Sequence, residues 1–207
     1  YLNRAYLHSV LHCLFFHLWT KGEREEFLWN TACDIMVEYT IDTMEKKSTK
    51  RILSYIRKTT YERLKKEHIV IAPGALYAWL YKQYAEIKAE EITDIDDTAN
   101  TKDKNELELL AREFYTDDHA LWPEEKNDNA MPLSSSEAQK QWQKISRQTR
   151  MEKKHSKDSE SEGEQVMMRE LSAKRSRRSY KEFLRRFAVL REEVHADYDS
   201  FDMGYYA

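Results

Sequence analysis

The chain has little of what builds sheets and turns. Its 207 residues include only 4 glycines and 3 prolines. So few chain-breakers argue against a strand-and-turn architecture and for long helices. Two cysteines, Cys13 and Cys33, are too few for a disulfide framework, and both sit in apolar helical patterns. Buried free thiols and a reducing compartment are expected, although Cys13 beside His12 and Cys33 beside Asp34 leave a soft-metal site conceivable. No stretch reaches the ~18 uninterrupted apolar residues of a membrane span, and the run from Tyr6 to Trp19 carries three histidines. It also lacks a signal-peptide cleavage site. The net charge of −3 gives no global field toward nucleic acid or membrane. A Gly-rich phosphate loop is absent as well.

What is present is helical periodicity. At 41% hydrophobic and 34% charged residues the chain can bury a core, and the pattern predicts an all-α fold of about six to seven helices. Residues 2–19 read as the first helix, with Gly22 as its cap. Further helices are expected from about Glu23 or Phe27 to Met44, at 50–66, and at 73–90 with Pro73 in the first turn. Residues 90–103 read as an acidic loop, followed by a helix at 104–115. Ser136 to Gln139 has capping-box spacing, and Lys157 to Glu164 reads as disordered or highly exposed. A last helix begins near Ser179 and precedes an aromatic tail through Tyr205 and Tyr206. The expected organisation is a helical core at 1–120, a charged insert at 121–178, and a closing helix and tail at 179–207. The tail suggests an excised piece of a longer protein.

The chemistry-bearing pattern is at the start. His8 and His12 are four apart, so they share one helix face and can reach one metal. On a continuous helix His17 falls about 180° from His8, which keeps it out of the pair. Asn30, Asp34, Glu38 and Asp42 form a polar stripe at four-residue spacing on the apolar second helix. Antiparallel packing would bring Asp34 or Glu38 to the histidines and complete a three-ligand zinc site of His8, His12 and Asp34. Such a site lowers the pKa of its bound water but needs a base to take the proton. Glu38 is the available candidate. The plainer reading is that the histidines are satisfied core residues and the acids a wet face. An Asp34 separation beyond about 8 Å from the imidazoles would favour it, since zinc bonds run near 2 Å.

Two further segments carry polar chemistry. Asp117-Asp118-His119, ahead of Trp122, could supply a ligand or close over a site, with a loop cap as the plainer reading. The basic cluster Lys174 to Arg191 could meet phosphate, but Glu182, Glu192 and Glu193 offset it, so a solvated face is favoured and nucleic acid is not expected.

The segment Arg4 to Asp42, with H-x-x-x-H-C-x-x-x-H and W-N-x-A-C-D-I-x-V-E, resembles a metallopeptidase-type domain of bacterial proteins of unknown function that continue into a von Willebrand factor A-like domain. There the first motif resembles H-E-x-x-H-x-x-x-x-H and the second N-x-A-x-D. His8, His12 and His17 match the first, and Asn30, Ala32 and Asp34 the second. The tail Phe201 to Tyr206 resembles the segment leading into the von Willebrand-like domain. The resemblance implies a zincin-like helical domain, a zinc cofactor, a peptide or protein substrate, a cytoplasmic setting, and work alongside an AAA+ ATPase. Ser9 stands where the catalytic Glu belongs. The expected function is therefore a divergent or inactive zinc-dependent metallopeptidase. The alternative is a non-catalytic interaction module serving the von Willebrand-like domain and the ATPase.

Overall fold

The computed structural model describes residues 2–93, 97–119, 122, 135–155 and 161–173, with side chains of 86–105, Ser135 and His155 left aside. All lie in one unit, Tyr1–Ala173. The predicted last helix, the basic cluster and the aromatic tail fall outside the described residues. Among the described residues every regular element is helical: α1 (Leu2–Leu14), a 3-10 turn (His17–Trp19), α2 (Glu26–Thr43), α3 (Tyr55–Lys66), α4 (Pro73–Thr93), α5 (Asp97–Phe114), α6 (Ser135–His155) and α7 (Glu162–Ala173). The all-α expectation holds. No described helix is long and apolar enough to cross a membrane.

α2 is the axis. It packs against α1, α4, α5 and α7, and every residue from Thr31 to Ile41 is buried. A helix buried all round belongs to the core. Ile35, Met36 and Val37 meet Leu11 and Phe15 from the N-terminal segment, Leu64 from α3, Leu76 and Leu80 from α4, and Phe114 from α5 in one cluster. The Glu25 carboxylate starts the helix by accepting the Phe27 and Leu28 amides at 3.2 and 2.7 Å. Ser54 Oγ does the same for α3, accepting the Arg57 amide at 3.2 Å.

Three boundaries differ from the sequence reading. The first helix stops at Leu14, because Phe16 turns left-handed at φ 57° and Gly22 lies in the loop beyond. That conformation costs a non-glycine residue about 1–2 kcal/mol, offset here by full burial of Phe15 and near-full burial of Phe16. Residues 90–103 are mostly helical, closing α4 and opening α5. Glu162 to Glu164, read as exposed, begin α7, with Gly163 and Glu164 buried against the end of α2. Glu164 accepts Lys153 at 2.8 Å and pairs with Lys46 at 2.9 Å, which ties α6 and the α2–α3 loop to α7.

Candidate metal centre

α1 and α2 build the first half of the site. One turn of helix separates His8 from His12, and both point their Nε2 atoms at the same spot, 2.9 Å apart. Asp34 on α2 meets them there, its Oδ1 3.5 Å from His8 Nε2 and 3.3 Å from His12 Nε2. The three residues chosen from the sequence are thus together and buried.

The segment after α5 supplies the second half. His119 Nε2 is 3.1 Å from Asp34 Oδ1 and 2.9 Å from Asp117 Oδ1. Asp117 Oδ1 is 3.3 Å from His8 Nε2. The ligand atoms of His8, His12, Asp34, Asp117 and His119 all lie within 4.8 Å of one another, a cluster that could hold a metal ion. Donors about 2.0–2.2 Å from a common centre sit roughly 2.8–3.6 Å apart in octahedral (cis) or tetrahedral array. The observed 2.9–3.5 Å spacings match that range. Asp34 Oδ1 is buried with no hydrogen-bond partner despite three imidazoles around it. Their nitrogens lie at contact distance but are not aligned to donate to it. A cation would satisfy that oxygen.

The far side of each helical imidazole is braced. His8 Nδ1 pairs with Glu38 Oε1 at 2.8 Å. A proton held on Nδ1 leaves the Nε2 lone pair facing the cluster, the usual support for a ligating histidine. Glu38 is fully buried, and its Oε2 accepts Arg4 at 2.6 Å, Arg51 at 2.8 Å, and Arg57. Asp42 accepts Arg4 at 2.6 Å, Arg57 at 3.2 Å and the Tyr61 hydroxyl at 2.8 Å. Glu38 therefore lies across the His8 ring from the cluster, neutralised by arginines, where it orients the ring and faces no metal-bound water. That geometry argues against the base role weighed for it from the sequence.

His17 is the second surprise. The helical wheel placed it opposite His8, but the chain leaves the helix at Phe16, and His17 Nδ1 comes within 3.1 Å of His12 Nδ1. It supports His12 as Glu38 supports His8. Trp122 covers the other flank, its ring 4.0 Å from His119 and 5.0 Å from His12 between centroids. Ser9, the residue after His8, donates to Asp117 Oδ2 at 3.0 Å.

The electrostatics follow from three carboxylates beside three imidazoles. Burial opposes the charge of Asp34, yet His119, His12 and His8 hold its carboxyl well below the usual range. Asp117 is likewise lowered against burial by His119 and His8, and Glu38 by His8, Arg57 and Arg4. Burial works against a proton on His8, but Asp117, Asp34 and Glu38 outweigh it and push the ring up to about 10. His119 rises to about 9 through Asp117 and Asp34, also against burial. His12, desolvated and beside a charged His8, is lowered. With Glu38 balanced by arginines, protons on His8 and His119 stand where a divalent cation would balance Asp34 and Asp117.

The sequence reading gave Asp117 and His119 as residues of a polar loop that could supply a ligand, preferred a loop cap, and did not join them to His8, His12 and Asp34. Their i, i+2 spacing follows no helical rule, and the contact with α1 spans more than a hundred residues. No family model matches this chain, and neither a curated protein nor a solved structure matches it.

Proposed function

We propose that this domain is a zinc-binding centre on a metallopeptidase-type helical scaffold, with His8, His12, Asp34 and His119 as its buried ligands and Asp117 as an outer fifth. The supporting observation is the convergence of five donor groups, among them Asp34 Oδ1, which is buried without a hydrogen bond. Three imidazoles and two carboxylates, with no thiolate, suit zinc, and after it iron(II) or manganese. The residues present fit such an ion: the two helical histidines are oriented, and the carboxylates supply the opposing charge. A bound ion would act there as a Lewis acid toward a carbonyl or a water.

Hydrolysis by the usual route is not the reading we favour. Ser9 cannot accept a proton at neutral pH, and Glu38 is turned away behind His8. The family resemblance supports a divergent member that works with a von Willebrand A-like domain and an AAA+ ATPase on protein partners in the cytoplasm. Metal analysis of purified protein tests the first part. Stoichiometric zinc in the wild type, lost in His12→Ala, is expected; no zinc, or zinc unchanged in His12→Ala, overturns it. Robust peptide cleavage abolished by the same substitution would overturn the non-hydrolytic part.

A further inference from the structure

The five donor groups are not equally placed. The His8, His12, Asp34 and His119 side chains keep 0, 1, 4 and 6% of their surface exposed, whereas Asp117 keeps 23%. Asp117 is also the one carboxylate of the cluster outside a helix. It lies in a bend after α5 and is the most exposed of the five. Its two oxygens do different things. Oδ1 faces the imidazoles of His8 and His119, and Oδ2 accepts the Ser9 hydroxyl. Ser9 in turn is fixed on the exposed side of α1, within reach of the Ala5 carbonyl at 3.3 Å. Trp122 closes the flank beside His119 and His12.

Resting on the metal reading above, we infer that Ser9 and Asp117 form a latch: Ser9 holds Asp117 over the outward face of the metal, so that an external ligand binds only by displacing that carboxylate. A Glu at position 9 would set a second anion against Asp117 where the hydroxyl now donates. The substitution that removes the usual base is thus the one that lets a carboxylate from the 115–119 segment cover the ion. Ser9 is a positioning residue here, and Asp117 is the carboxylate that would fill the outer coordination position of a bound ion.

Cobalt(II) reports this directly, because its visible spectrum changes with coordination number and with the arrival of an added anion. The apo protein is loaded with cobalt(II) and titrated with azide, for the wild type, Ser9→Ala, Asp117→Ala and the double variant, with circular dichroism as a check on folding. The wild type should resist azide, and Asp117→Ala should bind it at least about tenfold more tightly with a shift toward a lower-coordinate spectrum. Ser9→Ala should fall between them, since it frees Asp117 without removing it. In the Asp117→Ala background it should add nothing, because its only route of action has gone. Azide affinity equal in wild type and Asp117→Ala overturns the latch alone, as does a Ser9→Ala effect that persists in full without Asp117. Failure of any form to load cobalt overturns the metal reading and the latch with it.

Discussion

Replacing Glu38 by Gln tests how the site and the fold share one carboxylate. Glu38 is fully buried and serves five donors: His8 and Thr116 on one oxygen and Arg4, Arg51 and Arg57 on the other. Gln keeps the shape but has one oxygen and one amide nitrogen. If its oxygen faces the arginines, its NH2 faces His8 Nδ1, which must then give up its proton. The ring's proton moves to Nε2, the atom that faces the metal. If the oxygen faces His8 instead, the NH2 points into two buried guanidinium groups. Either way a buried charge pair loses a partner, which costs about 3–5 kcal/mol. At about 2–4 °C per kcal/mol for a domain of this size, the melting temperature of metal-free protein should fall by roughly 6–20 °C. Zinc affinity, read by competition with a chromophoric chelator, should fall by about 10–100-fold. The pH profile supplies a further sign. The Glu38 pKa is depressed below its ordinary 4.5 in the folded state. Its stabilisation is present above the unfolded value and fades as pH falls below about 4.5. Glu38→Gln should flatten that acid limb. A variant that melts within 2 °C of wild type (well inside the roughly 6 °C minimum) and binds zinc equally would refute this account of the arginine–carboxylate–histidine chain.

Other consequences can be measured alongside. Zinc must displace the protons held by His8 and His119 in the metal-free protein, so calorimetry in buffers of different ionisation heat should show about two protons released per ion at pH 7, and affinity should rise with pH. A Cβ at Gly163 would overlap the Thr40 carbonyl oxygen and lie 2.6 Å from the Met44 nitrogen. Since backbone atoms cannot step aside, Gly163→Ala should cost about 1–3 kcal/mol in denaturant unfolding without changing the stoichiometry of bound zinc. His17→Ala should weaken zinc by about tenfold or more, measured by the same competition, because His12 loses the group behind its Nδ1. Glu164 is lowered to about 2 by Lys153 and Lys46. Its stabilising pairs should persist above the ordinary carboxylate pKa and fade as pH falls toward 2, an acid sensitivity that Glu164→Gln removes in thermal scans.

The helices were legible because periodicity is local. So was the pairing of His8 with His12, and Asp34 followed from the assumption that two amphipathic helices pack face to face. What stayed hidden depended on long-range geometry or on one unusual residue. Phe16 adopts a left-handed turn that nothing in its type announces, and this alone moves His17 from the wrong side of a wheel to the back of His12. Asp117 and His119 sit in irregular chain, where spacing carries no directional rule. Glu38 was read as a possible base because its stripe was visible, but its three arginine partners come from α1, the α2–α3 loop and α3. The α7 helix was missed because Glu162 and Glu164 look solvent-bound until Tyr39, Lys46, Lys65 and Lys153 are found to receive them.

The stripe on α2 bears on how the chain assembles. Asp34, Glu38 and Asp42 are one turn apart, so an isolated α2 would carry three like charges along one edge, each neighbouring pair unfavourable by a few tenths of a kcal/mol. Emerging from the ribosome, this most central helix would be among the poorest at forming alone. Its charges are relieved in stages: α1, already made, brings Arg4 and His8, α3 brings Arg57, and His119 arrives only after five helices have been synthesised. The buried acids thereby tie α2 to partners on both sides of it in the chain, and the last of their charges is met only when the segment after α5 docks.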